Sequence, residues 1–182
     1  MLNRKQRGFT LIELMTTLGV ATVLISMAVP GVTVFLLNSR QSSSINEFVS
    51  TMHLARSAAI TKNERVTVCA SSNGVTCENV GWDRGWILFG DTDSDQTVDA
   101  GEVIIGTGPA IKGLTIESSE FARYFMYRPN GRVMNATINA NSGEFTVCDS
   151  RGAEHARVII LDLAGRPRLS DVEADGSDPS CS

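Results

Sequence analysis

One long apolar run near the N-terminus constrains this chain more than any other feature. The run extends from Phe9 to Leu37, and Glu13 is its only charged residue. An apolar helix of roughly 20 residues can cross a bilayer, and this run is somewhat longer. Three basic residues precede it, at Arg4, Lys5 and Arg7. The positive-inside rule therefore predicts a single transmembrane anchor with a cytoplasmic N-terminus and the rest of the chain on the other side.

A cleaved secretory signal peptide is the alternative interpretation of this run. Such a peptide has an apolar segment of about 7–15 residues, closed by a small-residue cleavage site. The run is too long for that segment, and no A-x-A-like site closes it. A small residue, Gly8, instead lies before the run, which favours an anchor that is retained.

Glu13 is costly in a membrane and needs a physical reason. An acidic residue inside a transmembrane helix costs about 2.5–3.5 kcal/mol on insertion scales. Cleavage after Gly8 would give Phe9 a free α-amine, which is cationic near neutral pH. The Glu13 carboxylate of a neighbouring subunit could then pair with that amine.

The segment RGFTLIEL resembles the class III signal of type IV pilins and type II secretion pseudopilins. The resemblance implies that residues 1–8 are a leader, which a prepilin peptidase removes between Gly8 and Phe9 before Phe9 is N-methylated. It implies that Glu13 aligns subunits during assembly. It also implies a bacterial inner-membrane protein with a periplasmic C-terminal domain that later enters a filament.

The apolar run is expected to be the first half of one long helix. Residues 9–37 form the transmembrane half, and Pro30 is predicted to kink it or open it locally because proline lacks an N–H group. In the pilin resemblance, the segment before this proline melts during filament assembly. Residues 38–62 form an amphipathic periplasmic half, because apolar residues recur there at helical spacing. These residues are Ile45, Phe48, Val49, Met52, Ala55, Ala59 and Ile60.

Residues 63–182 are expected to form a globular β domain. Short β-type runs alternate there with turn-forming stretches, and no helical pattern lies between them. The runs are 65–70, 86–89, 103–105, 114–116, 121–127, 144–148 and 158–163. The predicted fold class is α+β, with a long, partly transmembrane N-terminal helix packed on a C-terminal antiparallel β-sheet domain.

The order of landmarks in this domain resembles the GspH/FimT/FimU group of minor pilins and pseudopilins. The landmarks are LARSAAITKNERVTVC, GWILFGDTDSD, DAGEVI, YRPNGR, FTVCDSRG and ARVIILDLAGRPR. The resemblance covers nearly the whole chain and implies the pilin lollipop fold. It also implies other minor and major pilins, or pseudopilins, as partners.

Four cysteines follow the anchor, on the side of the membrane that is expected to be oxidising. An even number there favours two disulfides, and four cysteines allow three pairings. We prefer Cys69 with Cys77, which closes a small loop, and Cys148 with Cys181, which ties the tail to a strand. A zinc site is the alternative, but the spacings match no zinc-binding pattern.

The segment DTDSDQTVDAGE has the spacing of a calcium-binding loop. Its candidate ligands are Asp91, Asp93, Asp95, the Thr97 carbonyl, Asp99 and Glu102. Gln96 stands where such loops usually have glycine, and the flanks are strands instead of helices. The alternative is a solvated acidic hairpin tip without a metal ion, which gives a protein without a cofactor.

The segment AGRPRLS places Arg166 and Arg168 two residues apart. Residues at this spacing share a face of an extended segment, and guanidinium groups grip phosphates. The motif resembles the GRxR element of FimT-type minor pilins, which implies DNA binding during natural transformation. The alternative is that both arginines pair with acids of the tail or with neighbouring subunits. A net charge of −4 argues against a whole surface that attracts nucleic acid.

No catalytic set emerges from the sequence, and the protein is expected not to be an enzyme. His53 and His155 have no evident nucleophilic partner. The predicted function is a minor pilin at or near the tip of a type IV pilus that primes pilus assembly, with DNA binding as an additional hypothesis. The alternative is a minor pseudopilin, of the GspH type, in a type II secretion system.

Overall fold

The computed structural model describes residues 8–135 and 141–181, without the side chains of residues 27, 28 and 30. The basic leader residues Arg4, Lys5 and Arg7 and the side chain of Pro30 therefore lie outside the description. The chain divides into two compact units, Met1–Arg40 and Gln41–Ser182.

One helix, α1 (Leu11–Lys62), contributes to both units. It begins after Thr10, whose Oγ1 accepts a hydrogen bond from the Glu13 backbone N–H at 3.3 Å. Thr10 is thus the N-cap, which satisfies one of the donors left free at a helix start. The helix runs without interruption through position 30, so the local opening that a proline permits is absent here.

In the first unit, α1 carries an apolar surface that no other described residue of this unit covers. Hydroxyl groups in this segment bond to backbone carbonyls of the preceding turn, as Thr17 does to Leu14 O at 2.9 Å and Ser26 to Val23 O at 2.8 Å. Such internal bonds remove the need for water, which suits a helix in an apolar environment.

The second unit contains nine strands in its described residues, arranged in two antiparallel sheets. They are β1 (Val66–Ala70), β2 (Trp86–Gly90), β3 (Ile104–Gly108), β4 (Leu114–Glu117), β5 (Tyr124–Tyr127), β6 (Val133–Met134), β7 (Gly143–Asp149), β8 (Arg157–Leu161) and β9 (Pro167–Ser170). One sheet has the order β3-β2-β1-β5-β6 and the other β4-β7-β8-β9. Short 3-10 helices occupy Trp82–Arg84 and Ala153–His155. The predicted α+β class, a long helix followed by antiparallel sheets, is confirmed.

The part of α1 in the second unit buries one face. Its buried side chains are Ile45, Phe48, Met52, Ala55 and Ala59. Ile60 was expected on the same face, but 48% of it is exposed. Each helical residue turns by about 100°, so Ile60 lies a full step beyond the face that Ala59 shares with Ala55. The expectation for Ile60 was therefore wrong.

An aromatic cluster fills the core of the second unit. The Phe48 ring lies 5.5 Å from the Trp82 ring and 4.8 Å from the Trp86 ring, measured between centroids. Trp82 Nε1 donates to Phe121 O at 2.8 Å, and Trp86 Nε1 donates to Thr51 Oγ1 at 3.0 Å. Both tryptophans are fully buried with their N–H groups satisfied, so they are core residues.

Candidate assembly, cation and anion sites

The residues predicted for processing, Gly8 and Phe9, and the predicted assembly residue Glu13 lie at the start of α1. Gly8 and Phe9 precede the helix, and 84% of Phe9 is exposed. Glu13 lies in the first turn, where a negative charge interacts favourably with the helix dipole. The capping role of Thr10 was missed by the sequence analysis, although T-x-x-E is the sequence signature of a helix start.

The surface around Glu13 is apolar. The described side chains of residues 11–36 are all exposed, and most are large hydrophobics. Within the described part of the chain, α1 is the one helix long and apolar enough to cross a membrane. An exposed apolar surface of this extent marks a segment that contacts lipid or other subunits.

The acidic loop connects β2 to β3, and its first residue differs from the rest. Asp91 is fully buried. Its Oδ2 accepts the Thr67 hydroxyl at 2.6 Å and the Gln96 backbone N–H at 3.3 Å. No donor among the described residues reaches its Oδ1, which is also buried. Burial, together with the charge of Glu102, raises the pKa of Asp91, against the lowering effect of these hydrogen bonds.

Among the five acidic residues predicted as ligands, Asp91, Asp93 and Asp95 come together, and Asp99 and Glu102 are not part of this group. One carboxylate oxygen from each of Asp91, Asp93 and Asp95 lies within 4.8 Å of the other two. Repulsion from Asp95, the largest cause, raises the pKa of Asp99, so Asp99 adds to the same negative field. Glu102 is engaged elsewhere, because its two oxygens accept backbone N–H groups of the loop.

The backbone of this loop is left-handed at the position where calcium-binding loops usually have glycine. Gln96 occupies the position of the usual glycine and has φ +66°. Ser94 also has positive φ, at +70°. The Thr97 N–H donates to Asp95 Oδ1 at 2.7 Å, which holds the turn. Gln96 therefore adopts the left-handed backbone conformation that glycine usually takes at this loop position.

The arginine pair lies at the β8–β9 hairpin. Arg166 immediately precedes β9 and Arg168 lies within it, and both are exposed. The Arg166 backbone N–H donates to Asp162 Oδ1 at 2.8 Å, which closes the turn. Neither guanidinium forms an ion pair within the described ranges.

Gly165 fixes the position of this hairpin. The Tyr127 hydroxyl donates to its carbonyl oxygen at 3.2 Å. A Cβ at position 165 would lie 2.3 Å from the Gly131 carbonyl oxygen, and the φ of Gly165 is +71°. Only glycine combines this close approach with a left-handed backbone.

The acidic tail does not pair with Arg166 or Arg168. Asp171 binds Arg157, with Nη1 and Oδ1 3.0 Å apart. The Ala174 N–H donates to Glu144 Oε2 at 2.7 Å, on β7. Burial and the charge of Glu173 raise the pKa of Glu144, so the tail adds negative charge on that strand.

The other arginines that could extend a basic patch are partly engaged. Arg151 binds Asp149, with Nη2 and Oδ2 2.6 Å apart. Arg132 Nε lies 3.4 Å from Leu163 O, beside the turn that carries Arg166. Arg132 is therefore the best placed of them to join that pair.

Two disulfides close the second unit. Cys69 is bonded to Cys77, and Cys148 is bonded to Cys181. These are the two pairings preferred from the sequence. The second one ties the end of the chain to β7, which fixes the course of the acidic tail.

Two family models match the chain. The model of type II transport protein GspH matches residues 44–165, and the prokaryotic N-terminal methylation motif matches residues 3–29. None of the curated proteins matches the chain in sequence.

A minor pilin of known structure shares this fold. The Pseudomonas aeruginosa type IV minor pilin FimU matches in one crystal form with a TM-score of 0.58 and 19% identity, over 75% of this chain and 92% of FimU. A second crystal form gives a TM-score of 0.54 and 18% identity, over 71% of this chain and 91% of FimU. The Vibrio cholerae type II secretion minor pseudopilin EpsH matches with a TM-score of 0.48 and 12% identity, over 72% of this chain and 96% of EpsH. Because the GspH model covers more than half of the chain, the chain belongs to the GspH family.

Proposed function

We propose that this chain is a minor pilin that enters a type IV pilus at or near its tip and primes pilus assembly. The observation that carries the proposal is the uncovered apolar surface of the first unit, with Glu13 in its first turn. Such a surface is unfavourable in water and is buried by lipid before assembly and by neighbouring helices afterwards. The role is structural and involves no catalysis.

Glu13 and Phe9 supply the specificity of this packing. Apolar contacts are not directional, so they do not set how far one helix slides along the next. A buried pair between the Glu13 carboxylate and the free amine of a neighbour's Phe9 would fix that register. Removal of one partner would leave an uncompensated charge in an apolar environment, which is strongly unfavourable.

Processing comes first in this proposal. Prepilin peptidase would cut between Gly8 and Phe9 at the inner membrane and create the amine that Glu13 needs. Intact-mass measurement of the chain isolated from its host membrane should show loss of residues 1–8 and one added methyl group on Phe9. An uncleaved chain in assembled filaments would contradict this step.

The assembly step can be tested by a substitution that keeps the size of the side chain. We expect Glu13→Gln in the host to abolish or strongly reduce sheared surface filaments, while the chain stays in the membrane fraction. The matched control is Glu47→Gln, because Glu47 is an exposed acid of the same helix within the second unit. Normal filaments in the Glu13 variant would refute the role of Glu13.

A type II secretion pseudopilin is the alternative within the same family. The choice of a pilus follows FimU, which is a type IV minor pilin, although its likeness to this chain concerns the fold. Deletion of the gene separates the two functions. Loss of surface filaments with normal protein secretion supports the pilus, and loss of secretion with normal filaments supports the pseudopilin.

DNA capture is a second candidate function, favoured by the exposure of Arg166 and Arg168. Arg132 contacts Leu163 O in the turn of the same hairpin, and the first tail acid in the sequence, Asp171, is paired with Arg157. Two phosphate contacts would steepen the salt dependence of DNA affinity, with the slope of log K against log salt changing by about 2.

The DNA hypothesis calls for a gel shift across a salt series with the full chain in detergent. We expect Arg166→Ala/Arg168→Ala to lose binding and to flatten the salt dependence. The control, Arg84→Ala/Lys112→Ala, removes two exposed cations elsewhere in the second unit. Equal loss in both variants would indicate general electrostatic attraction, and no binding at low salt would eliminate this function.

A further inference from the structure

We propose that the β2–β3 loop binds one calcium ion through the carboxylates of Asp91, Asp93 and Asp95. These three residues offer oxygens within 4.8 Å of one another. Asp99 lies in the same negative field, because the charge of Asp95 acts on it. The site is separate from the helix used for assembly and from the hairpin of Arg166.

The buried Oδ1 of Asp91 is the atom that most favours a bound cation. Asp91 is fully buried, and no donor in the described part of the chain reaches this oxygen. A buried carboxylate oxygen without a partner carries a large desolvation penalty. The other oxygen, Oδ2, already accepts Thr67 Oγ1 and the Gln96 N–H, so Asp91 is fixed in place. A cation bound to Oδ1 would offset that penalty.

The spacing of the oxygens is compatible with calcium. Two oxygens on one calcium ion lie at most about 4.6–5.2 Å apart, which is twice the Ca–O distance of 2.3–2.6 Å. The corresponding limit for magnesium is about 4.0–4.2 Å. All oxygens of the cluster lie within 4.8 Å of one another, which is within the calcium limit. Calcium also accepts several carboxylates in a flexible geometry, whereas magnesium keeps several of its waters, so calcium is the preferred ion.

One basic side chain, Arg65, lies beside the cluster but forms no ion pair with its carboxylates among the described residues. Arg65 is the nearest basic side chain with a described bond to the loop, and its Nη1 donates to the Ser94 hydroxyl. No ion pair joins a basic residue to Asp91, Asp93 or Asp95 within the described ranges. The carboxylates therefore repel one another until a cation is bound.

Glu102 holds the loop in its binding form instead of binding the ion itself. Its Oε1 accepts the Thr92 N–H at 2.8 Å, and its Oε2 accepts the Asp99 N–H at 3.2 Å. These two bonds join the beginning and the end of the loop. Water and the Thr97 carbonyl would complete the oxygen shell that calcium prefers.

Calorimetric titration of the full chain in detergent, after treatment with a chelator, tests the proposal. We expect one calcium ion per chain, with a dissociation constant between about 10 μM and 1 mM, and a higher unfolding temperature in calcium. Magnesium should bind at least tenfold more weakly. Absence of calcium binding up to about 10 mM, or equal affinity for magnesium, would overturn the proposal.

Variants decide whether this loop is the site. Asp95→Asn should weaken calcium binding at least tenfold, and it should fold normally because asparagine Oδ1 can still accept the Thr97 N–H. Asp91→Asn should abolish binding. Asp178→Asn is the control, since it removes one exposed acid from the tail. Unchanged calcium affinity in the folded Asp95 variant, or equal weakening in the Asp178 control, would overturn the assignment.

Discussion

The hairpin that carries the arginine pair gives the sharpest test of the packing. Gly165 and Gly74 have the same φ, +71°, but different surroundings. A Cβ at Gly74 would meet nothing within 4 Å, whereas a Cβ at Gly165 would meet Gly131 O at 2.3 Å. Substitution of each glycine by alanine therefore separates the cost of the backbone conformation from the cost of the close approach.

The expected magnitudes follow from these contacts. An alanine in the left-handed conformation costs about 1–2 kcal/mol at either position. At position 165, overpacking adds about 1–3 kcal/mol. Gly131 cannot easily retreat, because its carbonyl oxygen also accepts Arg56 Nε at 3.0 Å. We expect Gly165→Ala to lower the free energy of unfolding by about 1–3 kcal/mol more than Gly74→Ala does.

Urea unfolding followed by tryptophan fluorescence measures this difference. The chain has two tryptophans, Trp82 and Trp86, and both lie in the core of the second unit. The signal therefore reports unfolding of the unit that contains both glycines. Equal losses in the two variants would refute the close approach between Gly165 and Gly131, and with it the account of how the hairpin is fixed.

Three further predictions concern the second unit. Phe48→Ala should destabilise it by about 3–5 kcal/mol in urea unfolding, because the variant empties the centre of the aromatic cluster, and a loss below about 1 kcal/mol would contradict that packing. Replacement of both Cys148 and Cys181 by alanine should lower the free energy of unfolding by about 3–4 kcal/mol, because the disulfide restricts the unfolded chain across a separation of 33 residues. An unchanged urea midpoint would contradict this expectation. Hydrogen bonds from the Arg151 side chain are the main cause that lowers the pKa of Asp149. This pair therefore stabilises the fold at pH values above the ordinary aspartate pKa of 3.8, and the stabilisation is lost as the pH falls through the lowered pKa. The stability gap between wild type and Arg151→Ala, about 1.5–3 kcal/mol at pH 7, should therefore narrow in acid, and a gap that widens there would refute the sign.

The sequence predicted the elements of this fold better than their contacts. Hydrophobic periodicity was sufficient for α1 and for most strands, because burial on one face is a local pattern. It misplaced Ile60, since a stripe of small and large residues does not by itself define the edges of the buried face. The two-residue strand β6 is too short to carry any periodic signal.

For the candidate sites too, the sequence predicted the residues better than their contacts. The spacing of the acidic residues was visible in the sequence, but the burial of Asp91 was not. That burial arises because the backbone pairing of β1 and β2 continues to Arg65 and Asp91, beside the hydroxyl of Thr67. Likewise, the need for glycine at position 165 comes from Gly131, a contact that no local pattern contains. Both depend on strands brought together by the tertiary fold.

Glu13 and Asp91 are two acids whose negative charge should be neutralised by different kinds of cation. Each is an acid in a setting where a negative charge is expensive, and neither forms an ion pair within the described residues. Glu13 lies on an apolar surface that only another molecule can cover, so its cation should come from a neighbouring chain. Asp91 is buried and grouped with two further acids of its own loop, so its cation should be a small ion shared by the three carboxylates. Glu13→Gln should therefore remove filaments without changing calcium affinity, and Asp91→Asn should remove calcium binding while the helix keeps its packing surface.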